Sequence, residues 1–199
     1  AVLRVNYRGS GNYGRAHLDA GAQEWGGAMQ DDLTDATRWA VETGIAQADR
    51  ICIYGASYGA YAALKGAARE PDLYKCAVGY VGVYDLELLH REQSAGSRSG
   101  RTWAGEWMGA RNTLAARSPI TLADRIRIPD FLAAGGQDPR APLAHSQRME
   151  RALKRTGVPV ETLYYPSEGH GFYTEPHRRE FYTRLLGFLS THLGGAVAK

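Results

Sequence analysis

Two rhythms of apolar residues alternate along the chain. Short runs of consecutive apolar positions, at 1–5, 50–54, 76–83, 128–134 and 158–165, read as buried strands. Between them the apolar residues recur three or four apart, as on one face of a helix. In 27–43 that face is Met29, Leu33, Ala36 and Ala40, with Asp31 and Asp32 near the electropositive N-terminal end and Gly44 as a stop. An alanine-rich helix runs from Tyr58 to Ala68 and must end before Pro71. A helix over 143–156 places Met149 and Leu153 together, and one over 176–192 carries Phe181, Leu185, Phe188 and Leu189. From 91 to 105 the chain turns polar, with Ser94, Gly96, Ser97, Ser99 and Gly100, which reads as an excursion out of the sheet. Residues 194–199 read as a frayed tail.

Strands alternating with helices of this length predict an α/β fold, a mostly parallel sheet with helices on both faces. In such sheets sites form beyond the carboxyl ends of the strands. The 199 residues fit one domain. With 44% hydrophobic and 23% charged residues, the composition excludes a disordered chain. The net charge of +3 comes without a Lys/Arg stripe interleaved with aromatics, so no nucleic acid partner is expected. No apolar run approaches the ~18 residues of a membrane helix, so no membrane association is expected. Two cysteines cannot frame a disulfide scaffold, and no Cys/His cluster has metal-ligand spacing. Trp25, Trp39, Trp103 and Trp107 read as packing or interface residues. The chain opens on Ala1 inside an apolar stretch, which suggests a piece of something longer and leaves the compartment unread.

The candidate chemistry follows the strand ends. Gly55-Ala56-Ser57-Tyr58-Gly59 matches Gly-x-Ser-x-Gly, in which a serine sits on a strained strand-to-helix turn. Its position between a predicted strand and a predicted helix adds most of the weight. Such a serine needs a base and an orienting acid, in the chain order Ser, Asp/Glu, His. His90 lies in the excursion, and His145, His177 and His192 fall within or at the start of helices, where a surface histidine is the plain explanation. His170, between Gly169 and Gly171 just after the run 158–165, has nothing local to bury it and is the candidate base. Asp138 follows the strand at 128–134 through Gly135-Gly136-Gln137 and is favoured as the acid, with Asp85 as its rival. Asp124 and Asp130 precede a strand and so stand at the wrong end of the sheet.

These residues carry a resemblance to the catalytic domain of the prolyl oligopeptidase family of serine peptidases. Asn6-Tyr7-Arg8-Gly9-Ser10, Trp25-Gly26-Gly27 with Gln30-Asp31-Asp32, and Gly55 to Tyr61 are similar to its motifs. So are Ser118-Pro119-Ile120, Gly135 to Asp138 with Pro142, and Glu168-Gly169-His170-Gly171-Phe172. The match runs in order over 1–193, nearly the whole chain. The resemblance implies an α/β-hydrolase fold whose first strands and β-propeller are missing from this chain, leaving 1–193 as a partial catalytic domain and 194–199 as a tail. It implies Ser57 as nucleophile, His170 as general base and Asp138 as orienting acid, acting on a peptide substrate with no metal and no organic cofactor. Tyr58 would supply one oxyanion-hole N–H. Arg140 would hold a substrate carbonyl, and Val83 and Leu86, with Leu89, would line the specificity pocket.

Ala56, Ala60, Ala134 and Ala141 depart from residues common in the family, and none of these changes removes a catalytic group. The resemblance also places a second oxyanion donor upstream of Ala1. Loss of one such donor costs about 100- to 1,000-fold in turnover, so the chain by itself is expected to be weakly active. Cys52 and Cys76 fall on strands that would be neighbours in this fold and read as buried thiols, with a disulfide as the alternative. A homo-oligomer is compatible with all of this. A carboxylesterase on the same scaffold is the nearest alternative function, and a non-catalytic binding domain a more distant one.

Overall fold

The computed structural model of the protein describes residues 1–195. Its elements follow in the order α1 (Arg15–Asp19), α2 (Ala28–Glu42), β1 (Cys52–Ala56), α3 (Tyr58–Arg69), β2 (Cys76–Tyr80), α4 (Leu86–Gly96) and α5 (Arg98–Trp103). Then come β3 (Asp130–Gly135), α6 (Leu143–Thr156), β4 (Val160–Tyr165) and α7 (Glu175–Leu193). Between α5 and β3 lie a π-helical turn at Ala104–Met108 and short 3-10 turns, of which Pro119–Arg125 is the longest.

Among the described residues the four strands form one parallel sheet in the order β1-β2-β3-β4. The pleat sends alternate side chains to opposite faces. Ala77 and Leu132 point to one side, where they meet Ala63, Leu64 and Ala67 of α3 and Met149 and Leu153 of α6. Cys76, Val78, Phe131, Ala133 and Leu163 belong to the other side and pack on Phe181, Leu185 and Phe188 of α7. Burial on both faces explains why the two central strands, β2 and β3, read as continuous apolar runs. All four carboxyl ends share one edge, the expected place for a site.

Three expectations change. The apolar run 1–5 is not a strand, and Val2 and Leu3 are exposed, because no described strand lies beside it to complete a ladder. The excursion at 91–105 lies outside the sheet and is helical, with the Ser97 hydroxyl accepting from Gly100 N at 2.9 Å. Cys52 and Cys76 are joined in a disulfide and are not free thiols. They stand directly opposite each other in the β1–β2 register with Cα atoms 4.6 Å apart, within the span a disulfide bridges. His145 is wholly buried rather than a surface residue. It lies on α6, and its Nε2–H donates to Glu92 of α4 at 3.2 Å. The expected frayed tail concerns 196–199, which lie outside the described residues. No helix among the described residues is long and apolar enough to cross a membrane.

Candidate active site

Ser57 stands alone between the last residue of β1 and the first of α3, with φ 56° and ψ −119°. A non-glycine residue with positive φ is costly and persists only where its surroundings hold it. Here the Ser57 N–H donates to the Tyr80 carbonyl at 2.9 Å, and the Ser57 carbonyl accepts from Ala60 N and Tyr61 N. The turn also brings β1 against the first turn of α3. A Cβ on Gly55 would lie 2.2 Å from the Gly59 carbonyl, so only glycine fits there. The methyl of Ala60, a departure from the family pattern, is buried within α3 without a positive φ. Tyr58 opens α3, so its N–H is one of those a helix leaves without an internal partner, beside the serine.

His170 lies in the loop after β4, and Asp138 in the loop after β3. Their Nδ1 and Oδ2 atoms are 2.7 Å apart. A carboxylate can only accept, so Nδ1 carries the proton and Nε2 is left with its lone pair. The other Asp138 oxygen accepts from Arg140 N at 2.8 Å and Ala141 N at 2.9 Å, which fixes the carboxylate from behind. Asp138 is buried while the His170 side chain is 19% exposed. Asp85 is engaged elsewhere: it caps α4 at Leu88 N and pairs with Arg148 at 2.8 Å.

The histidine loop is drawn back across the sheet edge. Gln137 N donates to the Glu168 carbonyl at 2.8 Å, and a Cβ on Gly135 would meet that carbonyl at 2.3 Å, so the two loops touch at their backbones. Further on, Phe172 N donates to the Tyr80 hydroxyl at the end of β2. Tyr80 therefore contacts both the serine turn, through its carbonyl, and the histidine loop, through its hydroxyl. Glu168 is 3% exposed, and its carboxylate accepts from Tyr173 N (2.8 Å), Thr174 N (3.0 Å) and His177 Nδ1 (2.7 Å). Burial alone would raise its pKa, but the hydrogen bonds from Thr174, Tyr173 and His177 outweigh it and hold the group down at about 2.

Of the remaining sequence candidates, Val83, Leu86 and Leu89 pack in one cluster with the Tyr58 ring. That ring packs edge-on against Trp25 at 4.6 Å and lies 5.5 Å from Tyr7 and 5.4 Å from Tyr61. Behind it Val83, Leu86 and Leu89 form a cluster with Trp25, Met108 and Ala141. Leu86, within this cluster, has no exposed surface. Arg140 is exposed beside Asp138. Sequence reasoning did not single out Tyr80, Glu168 or Trp25 for the site. Tyr80 carried no signal, because only the fold brings β2 under a loop 92 residues away. Glu168 was within reach, since it opens the Glu168-Gly169-His170-Gly171 motif.

A serine on a strained strand-to-helix turn, with a His–Asp pair in loops at the same edge of a parallel sheet, defines an α/β-hydrolase fold. Residues 1–196 match the Prolyl oligopeptidase family. The chain belongs to that family. It is 40% identical to dipeptidyl aminopeptidase BIII of Pseudoxanthomonas mexicana over 98% of its own length and 29% of that protein. It is 35% identical to dipeptidyl peptidase family member 6 of Caenorhabditis elegans, over 98% and 27%. A puromycin-hydrolyzing peptidase of Mycobacterium tuberculosis superposes with a TM-score of 0.87 at 29% identity, over 96% of this chain and 29% of that one. The chain thus spans less than a third of the length of these relatives.

Proposed function

We propose that residues 1–193 belong to the catalytic domain of a serine peptidase that hydrolyses short peptides through an acyl-enzyme, with Ser57, His170 and Asp138 as its triad. The observation that carries this reading is the 2.7 Å His170–Asp138 contact at the edge where Ser57 is held at positive φ. Ser57 Oγ attacks the peptide carbonyl while His170 Nε2 takes its proton, then returns it to the leaving amine as the C–N bond breaks. Asp138 keeps the ring in the tautomer that leaves Nε2 free. The Tyr58 N–H donates to the oxyanion of the tetrahedral intermediate. Water then attacks the acyl-serine with His170 again as base, releasing the acid and restoring the serine.

Around this centre, the family resemblance supports Arg140 as the holder of a substrate backbone carbonyl, and the Tyr58 ring, packed with the cluster that contains Val83 and Leu86, as the apolar wall of the pocket for the residue before the cut bond. The family membership and the names of the relatives support a peptide bond as the target. The chemistry asks for no metal. The test compares the natural full-length protein with Ser57→Ala on dipeptidyl p-nitroanilides and on p-nitrophenyl esters. Amide hydrolysis lost in the variant is the expected result. Ester hydrolysis with no amide hydrolysis would make the protein a carboxylesterase, and amide hydrolysis retained by the variant would reject Ser57.

A further inference from the structure

The three consecutive N–H groups after Gly171 do not enter a ladder; each is taken by a side-chain oxygen. Phe172 N donates to Tyr80 Oη, Tyr173 N to Glu168 Oε2 and Thr174 N to Glu168 Oε1. The segment they steady would otherwise be loose, because His170 lies between two glycines and Gly171 has φ 144°. The acceptors are themselves fixed. Glu168 is buried, bonded by His177, and tied through its backbone to Gln137 in the acid loop. Tyr80 stacks on Phe181 at 4.4 Å and packs against Phe172 at 5.0 Å, while its carbonyl holds Ser57 N. The loop bearing the base is thus fastened on one side to the acid's loop and on the other to the strand that steadies the serine.

We propose that Glu168 and Tyr80 are positioning residues that together set the His170 ring between Ser57 and Asp138. The proposal rests on the triad reading above. It makes two otherwise unconnected residues, one after β4 and one at the end of β2, parts of the same catalytic geometry. Displacement of a base by about 1 Å costs on the order of 100-fold in turnover, so a clasp of this kind acts on kcat and leaves substrate binding alone.

Two conservative variants isolate the clasp in the natural full-length protein. Tyr80→Phe removes one hydroxyl and keeps the stacking. Glu168→Gln keeps the size but turns an amide NH2 toward backbone N–H donors. Each is expected to lower kcat and the first-order rate constant of Ser57 labelling by a fluorophosphonate about 10- to 100-fold, with KM unchanged and Glu168→Gln the larger effect. A merely structural role would reduce the fraction of protein labelled and leave the rate constant alone. The second readout is the low-field proton resonance of the His170 Nδ1–H···Asp138 bond, expected to weaken or vanish in both variants. Unchanged rate constants with the resonance intact would overturn the proposal. Wild-type protein that shows the resonance but never labels would reject the peptidase reading, and loss of the resonance in the variants would still establish the clasp.

Discussion

The two edges of the sheet each bury an acid, and they treat it in opposite ways. At the carboxyl edge Glu168 accepts three hydrogen bonds and is held at a pKa of about 2. At the amino edge Asp130, the first residue of β3, is fully buried with both carboxylate oxygens unpartnered among the described residues. Burial drives its pKa well up. An unpaired buried polar group costs about 1–3 kcal/mol, whereas a paired network makes its surroundings rigid. At the carboxyl edge the Glu168 and Asp138 carboxylates both have their oxygens hydrogen-bonded. The amino edge is braced instead by the Cys52–Cys76 disulfide between the first residues of β1 and β2.

If that division holds, changes at the carboxyl edge strike activity and changes at the amino edge strike stability. Asp138→Asn gives the largest effect. It releases the His170 tautomer and is expected to lower kcat about 10,000-fold, with little change in the urea midpoint. A comparable loss of stability would mean that the acid loop is part of the core. Next comes the disulfide. Cys52→Ala with Cys76→Ala opens a loop of 24 residues in sequence separation, and its expected cost is about 3 kcal/mol of unfolding free energy. The folded fraction keeps its turnover, because the bridge lies at the end of β1 remote from Ser57. Turnover falling in step with stability would erase the distinction between the edges.

Asp130→Val is the smallest change and has the opposite sign. A carboxyl whose pKa is raised in the fold contributes most below the unfolded value of about 3.9, and this contribution is lost as pH rises. The valine variant is therefore expected to match the wild type near pH 4 and to be more stable by about 1–3 kcal/mol at pH 8. Glu168 runs the other way. Its pKa is lowered, so its contribution is complete above about 4.3 and fades as pH falls toward 2. Urea midpoints measured from pH 3 to 8 separate the two slopes. No gain for Asp130→Val at high pH would show that the carboxylate has a partner the fold supplies.

Much of this arrangement was legible before the fold was known. The Gly55–Gly59 motif sat between a strand and a helix, and the elbow at Ser57 followed from it. Asp138 and His170 read as loop residues just past predicted strands, and the fold brings them together at one edge. What stayed hidden depends on contacts distant in sequence. The buried His145 finds its hydrogen-bond partner in Glu92, 53 residues earlier. The Cys52–Cys76 bridge depends on a register that local pattern does not set. The run 1–5 has the composition of a strand, but hydrogen bonds to a neighbour make a strand, and no described residue offers them.

The central claim is that Ser57 is an activated nucleophile, and the most direct test is covalent. The natural full-length protein is treated with a fluorophosphonate, and the modified residue is located by mass spectrometry. The account predicts a single adduct on Ser57, absent from Ser57→Ala and much slowed in Asp138→Asn. A folded protein that takes no adduct, or takes it on another residue, would contradict it.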